Sequence, residues 1–172
     1  MERAREIRKR EESYRTISDV APLGIWASDA ERRVKFWNRW WFEYTGLTPD
    51  DTLGQDWLAA VHPDYRQRAA DECERAHAED TAFEIETLLR RFDGEYRWHL
   101  IRGRPVERAP ADAPEWIGIV LDVHDQRKAE EEALSSEKQL RELADSIPQL
   151  AWIADARGTA FWFNQRWQEY NT

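Results

Sequence analysis

Between residues 2 and 19 the chain is dense in Arg, Lys and Glu, while Ala4, Ile7, Tyr14, Ile17 and Ala21 recur at about one or two helical turns. That spacing predicts an amphipathic helix with a thin apolar seam, ended by Pro22 and Gly24. The period then shortens. Leu23 to Ser28 and Val34 to Trp37 read as two short strands around the polar turn Asp29 to Arg33. Asn38 is placed to N-cap a helix through Tyr44, with Gly46 as its left-handed stop. Pro49 opens a second short helix, Gly54 breaks it, and Gln55 to Val61 gives one more turn. His62-Pro63-Asp64 caps a longer helix to about His77.

The strongest strand signal follows. Thr81 to Phe92 and Glu95 to Val106 are β-rich runs joined by Asp93-Gly94, which predicts a hairpin with a type I′ turn. Glu84 and Glu86 are expected to pair across it with Arg97 and Arg102. A Pro- and Ala-rich loop, Ala109 to Pro114, leads to a last strand over Glu115 to Val123. Five strands with a cluster of short helices after the second predict an α+β fold: an antiparallel sheet with helices on one face. From Asp125 the pattern turns charged and helical, with Ala129, Ala133, Ser136, Leu140, Leu143 and Ile147 spaced 4-3-4-3-4, a coiled-coil seam of weak, small residues.

The opening motif recurs. Pro22 to Tyr44 and Pro148 to Tyr170 match without a gap at an offset of 126 residues (26 to 152), including Trp26/Trp152, Asp29/Asp155, Asn38/Asn164, Trp41/Trp167 and Tyr44/Tyr170. A period that long is a domain plus its connector rather than a solenoid unit. The expected organisation is a helix at 1–19, a domain at 20–124, a connector helix at 125–146 and the start of a second copy at 147–172, a piece of a longer tandem array.

Composition narrows the function classes. Net charge is −9 and the isoelectric point is near 5.0, which argues against a phosphate-binding surface, so no nucleic-acid partner is expected despite ten tryptophans. A single cysteine, Cys73, allows no internal disulfide and fits a reducing compartment. With no apolar run near the ~18 residues of a membrane span, a soluble, cytoplasmic fragment is the expectation. No phosphate loop, nucleophile elbow or paired catalytic carboxylates is present, so no catalysis is expected of this chain. Cys73 and His77 stand at i, i+4 but two ligands do not make a metal site. His62 reads as a loop-and-cap element, His77 as a helix-end group and His99 as a sheet-face residue.

The order of these motifs resembles the PAS fold, in its PAS/PAC variety. The resemblance is carried by Trp26-Ala27-Ser28-Asp29, Phe36-Trp37-Asn38 through Glu43-Tyr44-Thr45-Gly46, Gly54-Gln55-Asp56-Trp57, Val61-His62-Pro63-Asp64 and Leu89-Arg90-Arg91. Asp93-Gly94-Glu95-Tyr96-Arg97-Trp98, Trp116-Ile117-Gly118 and Asp122-Val123-His124-Asp125-Gln126 complete it, over about Ser18 to Glu130. It implies a five-stranded sheet, a sensory or interaction role, and a bacterial multi-PAS signalling parent, a sensor histidine kinase above all. The alternatives it leaves are a ligand-free adaptor for dimerisation or docking, and the sensor part of a cyclic-dinucleotide enzyme.

It also implies a signal-transmission junction at Asp122, His124, Asp125 and Gln126, with Asp125 as N-cap of the outgoing helix. Implied partners are a second copy through the flanking helices, a small-molecule ligand and a downstream effector domain. The cofactor stays unknown. Flavin photoreceptors of the family carry a reactive cysteine where this chain has Gln55-Asp56-Trp57-Leu58, which rules out a flavin–thiol adduct. Haem-binding members place a histidine on the long helix, where His77 is the candidate, expected to sit at the polar helix end. Gln126-Arg127-Lys128 does not match a kinase phospho-acceptor run.

Overall fold

The computed structural model describes residues 2–52, 54, 56–106 and 116–170, with side chains outside 2–5, 7–11, 56 and 168–170. The expected loop Ala109 to Pro114, Gln55, Glu115 and the side chains of Ala4, Ile7, Asp56, Glu169 and Tyr170 lie outside the described residues. The elements are α1 (Glu2–Val20), β1 (Gly24–Ser28), β2 (Val34–Trp37), α2 (Arg39–Thr45), α3 (Pro49–Thr52), a 3₁₀ turn (Asp56–Ala60) and α4 (Pro63–Glu79). They continue with β3 (Phe83–Arg90), β4 (Tyr96–Pro105), β5 (Trp116–Asp122), α5 (His124–Ser146), β6 (Trp152–Ala154), β7 (Ala160–Phe163) and α6 (Gln165–Tyr170). The chain divides into two compact units, 1–124 and 125–172.

In the first unit five antiparallel strands run in the order β2-β1-β5-β4-β3. The alternation that predicted β3 is its burial pattern: Phe83, Ile85, Thr87 and Leu89 are buried and Glu84 and Glu86 exposed. Trp26, Trp37, Trp41, Val61, Leu89, Ile101 and Val120 fill the space between this inner face and the helices. Each such buried side chain is worth roughly 1.5–3 kcal/mol. Two glycines make the packing possible. Gly118 lies opposite Trp26 on β1 and opposite Gly103 on β4, and a Cβ on Gly118 would stand 2.4 Å from the Trp26 ring. The indole therefore lies flat on bare backbone.

The hairpin forms, with a different turn. Arg90 pairs with Tyr96, the Gly94 amide bonds the Arg91 carbonyl at 2.9 Å, and Gly94 (φ 90°), not Asp93, takes the positive φ. A type I′ turn needs positive φ at two residues, so this is a type I turn closed by a left-handed glycine. Arg91, bonded to Asp93 and Glu95, fastens it from outside. One of the expected charge pairs is directly opposed: Glu84 faces Arg102 and bonds it at 2.5 Å. Arg97 faces Leu89 and Glu86 faces Leu100. Partners sit two residues apart along one face, so odd-numbered Arg97 points opposite to even-numbered Glu84 and Glu86.

The second unit repeats the first in hydrogen bonds as well as in letters. Asn38 Oδ1 accepts from the Ile25 amide at 2.9 Å while its Nδ2 donates to Ser18 and Leu23 carbonyls. Asn164 Oδ1 accepts from the Ala151 amide at 3.0 Å while its Nδ2 donates to the Ala144 and Gln149 carbonyls, each 126 residues on. Asp19 and Asp145 likewise accept from the amides of Arg39 and Gln165. Asn38 does hold the N-cap position of α2, but its side chain makes no capping bond. It ties the end of the preceding helix to the first strand instead.

Candidate functional site

Two arrangements in the first unit gather polar groups where an apolar core would be cheaper. The first is a cavity of about 50 Å³ under the sheet, walled by Trp26, Trp37, Trp57, Phe83 and Ile101 and reached by Ser28, Arg32, Cys73 and His77. Strand alternation turns Trp26 and Ser28 inward, and the i, i+4 spacing on α4 turns Cys73 and His77 toward the same space. Trp26 Nε1, Ser28 Oγ and His77 Nε2 are buried without a hydrogen-bond partner. Ser28 is 2% exposed and Trp26 6%. Orphaned buried donors and acceptors cost about 1–3 kcal/mol each, so three of them on residues that line one cavity mark the region out.

His77 does stand in the last turn of α4, as expected, and is half-buried there: its ring stacks on Trp116 at 3.9 Å and its Nδ1 lies 2.7 Å from the Cys73 carbonyl. A carbonyl only accepts, so Nδ1 carries the proton and Nε2 presents a lone pair. Burial holds its pKa below the usual histidine value, against the Cys73 carbonyl bond and with help from Arg32. Burial, then Glu72, pushes the neighbouring Cys73 thiol up to about 12. Among the described residues no group of three or more His, Cys, Asp or Glu could hold a metal. A flavin or haem does not fit either, because small-molecule sites of that kind need about 300 Å³ or more.

The second arrangement closes the end of β5. Asp122 Oδ2 accepts from Arg97 Nε and from Tyr44 Oη, both at 2.8 Å, and Oδ1 accepts from the His124 amide at 2.9 Å. His99, fully buried opposite Asp122 on β4, places Nε2 3.9 Å from Oδ2. Burial alone would raise the Asp122 pKa; Arg97, the His124 amide and Tyr44 outweigh it and hold the carboxyl below its usual range. Burial, then the bond to Asp122, pushes Tyr44 well above an ordinary phenol. One carboxylate thus joins α2, β4 and the first amide of α5.

Of the four expected junction residues, the structure brings Asp122 and His124 together. The helix begins at His124, one residue before the expected cap, so Asp125 stands in its first turn, and Gln126 bonds Glu130 along the helix. Tyr44, Arg97 and His99 were not foreseen in this cluster. His62 does cap α4, accepting from the Asp64 amide.

Comparison with known proteins agrees with this architecture. A model of the PAS fold matches residues 34–120, half of the chain. An uncharacterized protein, y4lL of Sinorhizobium fredii, is 30% identical over 161 residues, 92% of this chain and 19% of its own length. The peroxide stress-activated histidine kinase mak1 of Schizosaccharomyces pombe is 27% identical over 146 residues, 79% of this chain and 9% of its length. The chain therefore spans a fifth or less of these relatives. Among solved structures, a sensory box histidine kinase/response regulator from Burkholderia thailandensis gives a TM-score of 0.53 at 20% identity, covering 75% of this chain and 98% of that one. A PAS domain from Colwellia psychrerythraea gives 0.54 at 17%, covering 66% and 97%. No helix among the described residues is long and apolar enough to cross a membrane. Sheet order, motif order and family model agree, and the chain belongs to the PAS fold family.

Proposed function

We propose that the chain is the sensory input of a larger signalling protein, in which the state of the cavity beneath Trp26 biases the helix that leaves at His124. The observation that carries this reading is the Asp122 carboxylate, which ties the end of the last strand to α2, β4 and the first amide of α5 by three bonds. A shift of about an ångström at the end of the sheet would break one of them, and a coupling of a few kcal/mol suffices to move a two-state helix. The kinase relatives make a histidine kinase the favoured output of that larger protein. Amide hydrogen exchange tests the coupling. Asp122→Asn should raise exchange at residues 124–128 about tenfold or more while the β4–β5 amides keep their protection. Unchanged exchange at 124–128 sinks the reading.

A second copy is the favoured partner. Tyr14, Ile17 and Val20 on α1 are 71%, 66% and 76% exposed, and Leu140 and Leu143 on α5 are 63% and 64% exposed. Exposed apolar seams on charged helices suit pairing with their own kind. Sedimentation velocity should give a concentration-dependent dimer that Leu140→Lys with Leu143→Lys weakens. A strict monomer at high concentration favours an adaptor that docks other proteins.

A further inference from the structure

We propose that His99 makes the exit of the sheet proton-sensitive. A proton taken up from solvent on its Nε2 gives Asp122 a new donor, which displaces the Tyr44 hydroxyl and breaks the tie between α2 and the end of β5. This rests on the reading of Asp122 as the link from sheet to outgoing helix, and it names a condition that changes that link. His99 stands directly opposite Asp122 and is fully buried. Its Nδ1 lies 2.8 Å from the Arg97 carbonyl. A carbonyl only accepts, so Nδ1 carries the proton and Nε2 presents a lone pair. That nitrogen is buried without a hydrogen-bond partner, 3.9 Å from Asp122 Oδ2. Lone pair faces lone pair, and the two groups stay apart.

Protonation reverses the sign of that contact. An imidazolium N–H donates to a carboxylate at about 2.7–2.9 Å, about 1 Å closer than the present separation. Oδ2 already accepts from Arg97 Nε and Tyr44 Oη, both at 2.8 Å, and a carboxylate oxygen offers two lone pairs. A third donor therefore displaces one of them. Arg97 is charged and also reaches Oδ1 through Nη2 at 3.4 Å, whereas Tyr44 gives a single bond from a neutral hydroxyl. Tyr44 is the one to leave. The His124 amide, on Oδ1, stays bound. The surrounding groups set how readily the proton is added. Burial, the Arg97 guanidinium and His124 oppose it, the Arg97 carbonyl and Asp122 favour it, and burial wins, so uptake falls below the ordinary histidine range. Thr87, opposite on β3, and Trp40 on α2 face the ring without a charge, and Tyr44 is held protonated by burial and by Asp122.

NMR of the histidine Cε1–H resonances follows the uptake, with His99 identified as the resonance lost in His99→Gln. The native protein should titrate at His99 below pH 6.5 with the β4–β5 amides still protected. Tyr44→Phe is the variant that decides. Proton and hydroxyl compete for Asp122, so removing the hydroxyl should raise the His99 midpoint by about half a pH unit or more, about a threefold gain in proton affinity. A packing role alone leaves the midpoint in place or lowers it, because the site only loses a polar neighbour. In the unmutated protein the Tyr44 Cζ resonance, which follows the bonding of its hydroxyl, should move with the His99 midpoint and stay fixed in His99→Gln. Three results overturn the proposal: a His99 that takes no proton until the sheet unfolds, a midpoint that Tyr44→Phe does not raise, or a Tyr44 Cζ that ignores it. Run at pH 8, the Asp122→Asn exchange test leaves His99 neutral. Its success beside a failed titration would overturn the proton switch alone, and its failure would overturn the coupling on which the switch acts.

Discussion

The hydroxyl of Tyr44 and the carboxylate of Asp122 meet at 2.8 Å although 78 positions separate them along the chain. Tyr44 ends a short helix that packs beneath the sheet, and Asp122 ends the last strand before the outgoing helix. The bond therefore reports whether the helical layer and the exit of the chain keep their relative positions. Tyr44→Phe removes it without a steric change. A hydrogen bond to a charged acceptor is worth about 1.5–3 kcal/mol, and part exposure of Asp122 places the loss at the lower end. Urea unfolding should show that loss with an unchanged m-value, and the double mutant with Asp122→Asn should lose less than the sum of the singles.

The acid limb of the stability curve should show two steps. His99 is fully buried and burial holds its pKa below 6.5; its bond to the Arg97 carbonyl and the Asp122 charge only partly oppose this. His77 is depressed in the same direction. A depressed folded pKa means the unfolded chain takes the proton first. Stability is therefore full above pH 6.5 and falls as pH drops below it. Asp122, held below 3.8 in the folded state, adds a second loss below pH 3.8. Thermal unfolding from pH 8 to pH 3 measures both, and His99→Gln should flatten the first.

Cys73 should resist thiol reagents. Its pKa of about 12 leaves almost no thiolate at neutral pH, and the thiolate is the reactive form. Alkylation by iodoacetamide at pH 7.5 should be at least about a hundredfold slower in native protein than in urea, following global unfolding. A fast native reaction would show that α4 opens locally at the cavity.

Much of this architecture was legible because strand alternation and turn chemistry are local. β3 announces its faces in its own letters, and Gly46 and Pro49 mark helix ends where the structure has them. The junction was half legible. Asp122 and His124 are neighbours in the chain, whereas Tyr44 arrives from a distant helix and Arg97 from the neighbouring strand. Arg97 was assigned to the glutamates across the hairpin because charge was matched before face. Counting parity from the Asp-Gly turn would have freed it. His77 was placed by its polar flanks, Arg75 and Glu79, yet helical spacing puts it on the Cys73 side, toward the sheet. The unpartnered Trp26 Nε1, Ser28 Oγ and His77 Nε2 have no sequence signature, since they are defined by partners that are missing.

Two glycines should fail for different reasons. Gly118→Ala puts a Cβ 2.1 Å from the Arg102 carbonyl and 2.4 Å from the Trp26 ring, so backbone or indole must move. Overpacking of that kind costs about 3 kcal/mol and should shift the Trp26 indole resonance. Gly94→Ala meets nothing within 4 Å, and its cost is the strain of a φ of 90°, about 1 kcal/mol, with the Trp26 resonance unchanged. Equal costs with equal spectral change would mean that Trp26 does not rest on Gly118.

The paired asparagines make the sharpest test of the repeat. Asn38 and Asn164 are 1% and 0% exposed and use the same three bonds, 126 residues apart, to tie the last turn of a helix to the following strand. Replacing either with Ala leaves one amide and two carbonyls to find other partners, at about 1–3 kcal/mol for each that stays dry. Asn38→Ala should therefore free the last turn of α1, and Asn164→Ala the last turn of α5, each leaving the other helix end protected. Hydrogen exchange at 17–20 and 143–146 reads the two separately. In the sensory reading the difference matters. α5 is held at its start by Asp122 and at its end by Asn164, so each tie can be loosened with the other in place. Asn164→Ala should raise exchange at 143–146 about tenfold without touching 124–128. Loss of protection along the whole of α5 would show instead that the rod has no stability of its own between its two ties.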